Sequence, residues 1–337
     1  MKALVTGGGG FLGRYIVEKL RERGDEVRVL SRGKYPELEA LGCECVQGDL
    51  RSSQAVDAAC GGVDAIFHVA AMAAMWGDRE EIFGINLKGT ANLIEAAREQ
   101  EVRRFIYTSS PSVVFGMEDL EGVDESTPYP EKFHADYPES KARAEQLVLA
   151  ANDDGISTCA LRPHLIWGPR DTHIVEMLVQ RARQGRLVQI GDGKNLVDVS
   201  YVGNAVDAHL QAADALAPDS AVAGQAYFIG DKEPVNLWDW VRDLLTRLGE
   251  PTPTKSISHR TAHCIGGILE AAYTVLPLRG EPRLTRFLAA QFATSHYFDH
   301  SKAARDFGYD PAVDNEEGLA RTVAWWKESQ VSISYPD

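Results

Sequence analysis

The apolar run Ala3–Thr6 leads straight into Gly7-Gly8-Gly9-Gly10-Phe11-Leu12-Gly13, and an amphipathic stretch continues to Arg23. A strand, a glycine turn and a helix, in that order, constrain this chain more than any other feature. Gly7 permits a tight turn, Gly10 lets backbone approach a bound group, and Gly13 lets helix and strand pack closely. The first helical turn, from Phe11 and Leu12 onward, leaves backbone N–H groups unpaired, and its dipole favours an anion. A glycine turn alone is weak evidence. The flanking strand and helix are the context that points to a dinucleotide pyrophosphate.

The alternation continues. Short apolar runs recur at Val27–Leu30, Cys43–Gln47, Ala65–Val69, Phe105–Thr108 and Ser157–Leu161, with helical patterns at Glu80–Gln100 and Glu139–Ala151. Apolar strands separated by helices indicate βαβ units and a parallel sheet covered on both faces. Right-handed crossovers then predict a Rossmann-type, doubly wound α/β fold. After about residue 165 the rhythm breaks at Gly168-Pro169. Helix-like stretches follow at 174–184 and 204–216, strand-like ones at 187–190, 197–201 and 226–230, and several short helices within 234–300. The expected division is a cofactor domain over 1–165, to which 196–230 return in part. A smaller, interleaved C-terminal substrate domain takes 166–195 and 231–337.

Composition narrows the partners. The 337 residues carry 35 Lys and Arg against 49 Asp and Glu, a net charge of −14. That excess argues against nucleic acid and against charge-driven adhesion to anionic membranes. Five cysteines are too few for a disulfide framework, and Cys43 and Cys45 have no histidine pair nearby to complete a zinc site, so free thiols and no metal are expected. The N-terminus leaves no room for a signal peptide before the glycine turn, and no stretch reaches the ~18 apolar residues of a membrane span. A cytoplasmic protein is the expectation.

The end of the second strand selects the cofactor. An acid there would bind the ribose hydroxyls of NAD; the residues present are Ser31 and Arg32, which with Arg14 suit a 2′-phosphate. NADP is the expected cofactor, with NAD as the alternative. Gly48-Asp49-Leu50 follows the third strand, where a carboxylate can reach an adenine amino group or open a helix.

Tyr137 and Lys141 are four residues apart and share one helical face. An ammonium near a phenol lowers its pKa from about 10, which suits proton exchange with a carbonyl oxygen. Tyr15 and Lys19 repeat the spacing without an obvious polar partner and read as surface. What distinguishes the later pair is the strand Phe105–Thr108, which ends in Ser109 and Ser110, with Ser112 just beyond. Ligands bind at such carboxyl-side strand ends, and the three serines compete for one role.

Together, Thr6-Gly7-x-x-Gly10-x-x-Gly13, the strand-end serines and Tyr137-x-x-x-Lys141 resemble the extended short-chain dehydrogenase/reductase superfamily. Phe67-His68-Val69-Ala70-Ala71, Asn86-x-x-Gly89-Thr90 and Leu161-Arg162-Pro163-x-x-Ile166-x-Gly168-Pro169 match it as well, so the resemblance covers nearly the whole chain. It implies that Tyr137 is the general acid/base and that Lys141 binds the nicotinamide ribose and tunes Tyr137. Ser110 matches the substrate-orienting hydroxyl when the alignment is anchored on the strand; anchoring on Val114-Phe115-Gly116 would select Pro111. The resemblance also places Ala70 and Pro163 against the cofactor, Pro163 beside the nicotinamide, and makes Asn86 a support of the active-site helix.

Tyr107–Val113 and Gly191–Asp198 look like the 3β-hydroxysteroid dehydrogenase-like branch. Within it, Tyr35–Leu38 and Arg279–Leu288 look like the bacterial 2-alkyl-3-oxoalkanoate reductases. Arg162–His164 and Gly168–Asp171 are similar to sterol-4-carboxylate 3-dehydrogenases. The implied activity is NAD(P)-dependent chemistry at the 3-oxygen of a hydrophobic acyl or sterol substrate, foremost 2-alkyl-3-oxoalkanoate reduction, in a homodimer. Nucleotide-sugar epimerases and dehydratases share the fold, but the apolar stretch 264–278 suits a sugar diphosphate poorly. That stretch could be a lid, an interfacial helix touching a membrane, or an ordinary core helix. Arg279, Arg283 or Arg286 could clamp a substrate carboxylate or simply pair with surface acids. His134, His164 and Trp76 receive no role.

Overall fold

The structure, a computed structural model, describes residues 1–276, 278 and 280–334. Its strands, in chain order, are β1 (Lys2–Thr6), β2 (Glu26–Ser31), β3 (Glu44–Gln47), β4 (Ala65–His68), β5 (Arg104–Thr108), β6 (Leu120–Val123), β7 (Ser157–Pro163), β8 (Ile166–Trp167), β9 (Gln189–Ile190), β10 (Leu196–Val197), β11 (Ser200–Tyr201), β12 (Gln225–Ile229), β13 (Val235–Asn236), β14 (Ser256–Ile257) and β15 (His296–Phe298). Seven of them form one sheet in the order β12-β7-β5-β4-β1-β2-β3, with every pairing parallel. The chain therefore builds outward from β1 to β3 and then returns to the other side of β1 with β4. Strand order reverses between β1 and β4, and a crevice opens there at the carboxyl ends. A smaller sheet, β13-β10-β15-β6, joins three strands from the later part of the chain to β6.

The sheet forms where sequence alternation lets both faces bury. In β1, Ala3 and Val5 join the apolar cluster of α1 (Phe11–Glu22), whose Leu12, Ile16, Val17 and Leu20 recur at helical spacing. Leu4 faces the opposite way, toward a cluster containing α3 (Ser53–Cys60) and α5 (Gly89–Glu99) through Val56 and Leu93. Short α2 (Pro36–Ala40) precedes β3. The described cysteines are all free thiols.

Two segments differ from the sequence expectation or narrow it. The helix expected over 80–100 is broken into α4 (Arg79–Phe83), a π-helical turn at Gly84–Lys88, and α5. The wide turn carries Asn86, and π turns often mark functional positions. The second is the apolar stretch at 264–278, for which the sequence leaves a lid, an interfacial helix and a core helix open; over residues 264–275 the structure rules out the last. It lies in α10 (His259–Val275), with α6 (Asp136–Ala150), α7 (Ile174–Arg183), α8 (Val202–Ala215) and α9 (Leu237–Leu248) before it, and α11 (Arg286–Ala293), α12 (Ser301–Phe307) and α13 (Asn315–Ser334) after. One side of α10 packs so closely on α11 that a Cβ on Gly266 would lie 2.7 Å from the Arg286 nitrogen. Its other side is open, with Ile268 69% and Val275 81% exposed.

Tyr15 also departs from expectation. It is half-buried, its hydroxyl donates to the Pro169 carbonyl at 2.9 Å, and the Arg170 guanidinium stacks 3.8 Å above its ring. It is a tether between α1 and the chain after β8 rather than surface.

A buried ion pair holds α6 to the sheet. Arg162 on β7 donates to both oxygens of Glu145, at 2.6 and 3.0 Å, with the Tyr129 hydroxyl donating to the same carboxylate at 2.7 Å. The two side chains are 3% and 0% exposed. Removing one partner leaves a buried uncompensated charge, at a cost of about 3–5 kcal/mol, whereas removing both does not. Arg162→Met should therefore lower the urea midpoint markedly, and Glu145→Leu/Arg162→Met should recover much of the loss. Denaturation of the two variants side by side checks this; a double variant weaker than the single one would contradict it.

Candidate active site

A cavity of about 810 Å³ occupies the crevice at the carboxyl ends of β1, β4, β5 and β7. One end is built by the glycine turn. Gly7 has φ +71°, and a Cβ there would lie 2.8 Å from the Ala70 Cα. A Cβ on Gly13 would lie 2.2 Å from the Gly7 carbonyl oxygen, so helix and strand meet there backbone to backbone. Gly10 is the N-cap of α1, and no side chain caps that helix end. The N–H groups at Phe11, Leu12 and Gly13 are thus left for an anion, and all three residues line the cavity.

Ser31, Arg32, Asp49, Leu50, Ala70 and Pro163 line the same cavity. Arg14 does not join them; it pairs with Glu18 at 3.1 Å and Glu37 at 3.7 Å. Asp49 is pulled down to about 2 by its hydrogen bonds from Arg51, so it stays ionised as an acceptor. Sequence reasoning missed Tyr35. Its ring lies on the glycine turn, where a Cβ on Gly9 would be 2.1 Å from the ring, and it lines the pocket.

At the other end, α6 presents Tyr137 and Lys141 and β5 presents the serines. Ser110 is the N-cap of a 3-10 turn at Pro111–Val114. It accepts from the Ser112 backbone N–H at 3.2 Å and from the Ser112 hydroxyl at 2.9 Å. With both lone pairs engaged, its own hydrogen is free to point into the cavity. Burial pushes the Tyr137 phenol up to about 12, and hydrogen bonding with Ser110 pulls the other way. Among the three serines, Ser110 is thus the one coupled to Tyr137. Ser109 also lines the cavity, and its buried hydroxyl has no partner among the described residues.

Lys141 lines the cavity with Tyr137, and its ammonium is held by the end of β5. Its ammonium donates to the Thr108 carbonyl at 2.6 Å and lies 4.1 Å over the Tyr107 ring. Burial brings its pKa down to about 7, opposed by the charge of Glu145.

One buried hydrogen-bond chain joins the two ends. The Ala70 N–H donates to the Thr6 hydroxyl at 3.2 Å. Thr6 Oγ1 lies 2.7 Å from His68 Nδ1, and His68 Nε2 lies 2.9 Å from Thr90 Oγ1. The Thr90 hydroxyl donates to the Asn86 carbonyl at 2.6 Å. Thr90 must then accept from His68 Nε2–H, which leaves His68 Nδ1 to accept from Thr6. Burial, with Lys141 nearby, pulls His68 down to about 3, so the ring is neutral, as this chain requires. The Asn86 amide donates to the Ser140 hydroxyl at 2.9 Å, and Ser140 donates to the Tyr137 carbonyl at 2.8 Å. Asn86 also brackets Met72, accepting from its N–H at 2.7 Å and donating to its carbonyl at 3.1 Å.

Of the three candidate arginines, neither Arg283 nor Arg286 is in the cavity wall. Arg286 pairs with Glu270 at 2.6 Å, Arg283 is exposed, and Arg279 lies outside the described residues. Trp76 packs edge-on to Tyr273 of α10. His164, left without a role above, lines the cavity together with Gln291 of α11.

Known proteins are similar to this chain. The chain is 49% identical to a 2-alkyl-3-oxoalkanoate reductase of Stenotrophomonas maltophilia, over 96% of this chain and 99% of that protein. It is 44% identical to one of Shewanella oneidensis, over 96% and 85%. The crystal structure of gox2253 superposes with a TM-score of 0.77 at 28% identity, over 97% of this chain and 98% of that one. The model of the 3-beta hydroxysteroid dehydrogenase/isomerase family matches residues 4–258, a span that holds the glycine turn, Ser110, Tyr137 and Lys141. On that match the chain belongs to the 3-beta hydroxysteroid dehydrogenase/isomerase family.

Proposed function

We propose that this protein is an NADP-dependent reductase of the 3-oxo group of 2-alkyl-3-oxoalkanoates. The observation that carries the reading is a single cavity with an uncapped helix end at one extremity and Tyr137 coupled to Ser110 at the other. The named relatives, alike over nearly their whole length, support the substrate class.

The donor set suits a dinucleotide. Neutral backbone N–H groups at Phe11–Gly13 would hold the pyrophosphate, and Asp49 would accept from the adenine. Ser31 and Arg32 would hold a 2′-phosphate, since no acid stands at the end of β2. Lys141 and Pro163 would flank the nicotinamide end. The cofactor supplies the hydride chemistry when bound. The protein's own work is to orient and to move one proton. Ser110, its lone pairs held by Ser112, directs its hydrogen to the substrate oxygen or to Tyr137. Tyr137 gives up its proton to that oxygen, and its high pKa in the free protein keeps the proton in place beforehand. A charged Lys141 beside the strand end favours the resulting phenolate electrostatically. The reading includes a cytoplasmic homodimer, with the exposed side of α10 able to rest on lipid; no helix among the described residues is long and apolar enough to cross a membrane.

Four outcomes test this. Purified protein should oxidise NADPH in the presence of a 2-alkyl-3-oxo acid. Tyr137→Phe should lower kcat by about 10²–10⁴-fold while NADPH affinity changes little, as expected for loss of a positioned acid; undiminished turnover would contradict the assignment. Arg32→Ala should weaken NADPH binding several-fold or more and leave NADH nearly untouched, read by fluorescence titration; equal weakening of both would argue against a 2′-phosphate site. The fourth concerns pH. The buried Lys141 has a folded pKa of about 7, below the ordinary lysine value of about 10.4. Between those values the unfolded chain binds the extra proton, so stability of the cofactor-free protein rises with pH. The destabilisation is full below pH 7. Urea midpoints at pH 7 and 9 should rise more in the wild type than in Lys141→Met, and equal slopes would contradict this.

A further inference from the structure

The cavity wall holds His164, backed by His296, and the reaction described above uses neither. His164 is the first residue after β7, and its Nε2 lies 2.6 Å from Nδ1 of His296 on β15. The rings meet edge to face, 4.7 Å between centroids. Nε2 of His296 lies 2.8 Å from the Gln291 carbonyl oxygen. The two residues are 7% and 3% exposed, and burial favours neutral rings.

Donor and acceptor roles then follow from one fixed group. A carbonyl oxygen only accepts, so His296 Nε2 must carry a hydrogen. A neutral imidazole has one N–H, so His296 Nδ1 carries a lone pair. His164 Nε2 must therefore donate to it, and His164 Nδ1 is left with the lone pair. Any ligand meeting this ring through its free nitrogen must be a hydrogen-bond donor.

We propose that His164 accepts a hydrogen bond from the carboxamide of the nicotinamide, with its tautomer held from behind by His296 and the Gln291 carbonyl. The choice of donor rests on the function read above. A 2-alkyl-3-oxo acid at neutral pH presents a ketone and a carboxylate, neither of which donates. The donors at that end of the cofactor are the ribose hydroxyls and the carboxamide NH₂; Lys141 would take the ribose, which leaves the carboxamide for His164, next to Pro163 in the wall shared with Tyr137 and Lys141. The same lone pair repels a carboxylate, so the acid group of the substrate is turned away from this side. Pairing and repulsion together make His164 a positioning residue for cofactor and substrate alike.

The test uses nitrogen-15 spectra of the histidine rings and binding titrations, neither of which needs the substrate. Long-range proton–nitrogen correlations should show the Nε2–H tautomer for both His164 and His296. The His164 Nδ1 resonance should shift on addition of NADP⁺ and stay in place with ADP-ribose, which lacks the nicotinamide. His164→Phe and His296→Leu should weaken NADP⁺ binding about three- to tenfold, the worth of one hydrogen bond, and leave ADP-ribose affinity unchanged. In His296→Gln the amide can still donate to Gln291 and accept from His164, so NADP⁺ affinity should return to near wild type. An Nδ1–H tautomer at His164, an Nδ1 resonance indifferent to NADP⁺, or equal weakening of NADP⁺ and ADP-ribose would overturn the proposal. A protein that passes these tests yet reduces no 3-oxo acid would overturn the substrate reading alone.

Discussion

The hydrogen-bond chain that starts at the Ala70 N–H and ends at the Tyr137 carbonyl is the constraint on which the site depends. It passes through Thr6, His68, Thr90, Asn86 and Ser140, all buried, so each member is costly to leave unpaired. The chain crosses the crevice between β1 and β4, the place where a doubly wound sheet has no covering connection. It thereby fixes the glycine turn relative to the helix that carries Tyr137. Cofactor and proton donor can face each other only if those two pieces keep their spacing.

The electrostatics follow a related economy. The protein is strongly acidic, yet the reading requires it to bind a polyanion. In that reading neutral backbone at the start of α1 would do most of that work, with Arg32 in the same cavity for one further phosphate. Deeper in, buried groups are kept neutral or paired. His68 is neutral, Arg162 and Glu145 cancel, and Lys141 is drawn toward neutrality with Glu145 holding it back. A buried lysine poised near neutral pH is suited to respond to whatever charge enters the cavity.

Much of the architecture was legible in the sequence because it depends on local periodicity. Strands at 2–6 and 104–108 and a helix from residue 11 are patterns of one or two turns of chain. The glycine positions were legible for the same reason, since Gly7 and Gly13 meet within one turn. Expectations failed where a partner lies far away in the chain. Tyr15 read as surface because its partners, Pro169 and Arg170, are more than 150 residues distant. Helical spacing puts Lys141 on the face of Tyr137 but does not reveal that the strand-end carbonyl of Thr108 takes its ammonium. The apolar run in α10 could not be told from a core helix, because periodicity does not reveal whether anything lies on the outer side.

By itself, the sequence determined the alternating α/β order, the glycine turn between β1 and α1 and the spacing of Tyr137 and Lys141 on one helix, because short-range pattern and backbone sterics suffice for these. Only the tertiary structure decided which serine couples to Tyr137, where the Lys141 charge goes, and which nitrogen of His164 carries a hydrogen. Those depend on donors and acceptors that meet across the fold. His164 and His296 are 132 residues apart, and their tautomers are set by the carbonyl of Gln291, which no spacing in the sequence announces.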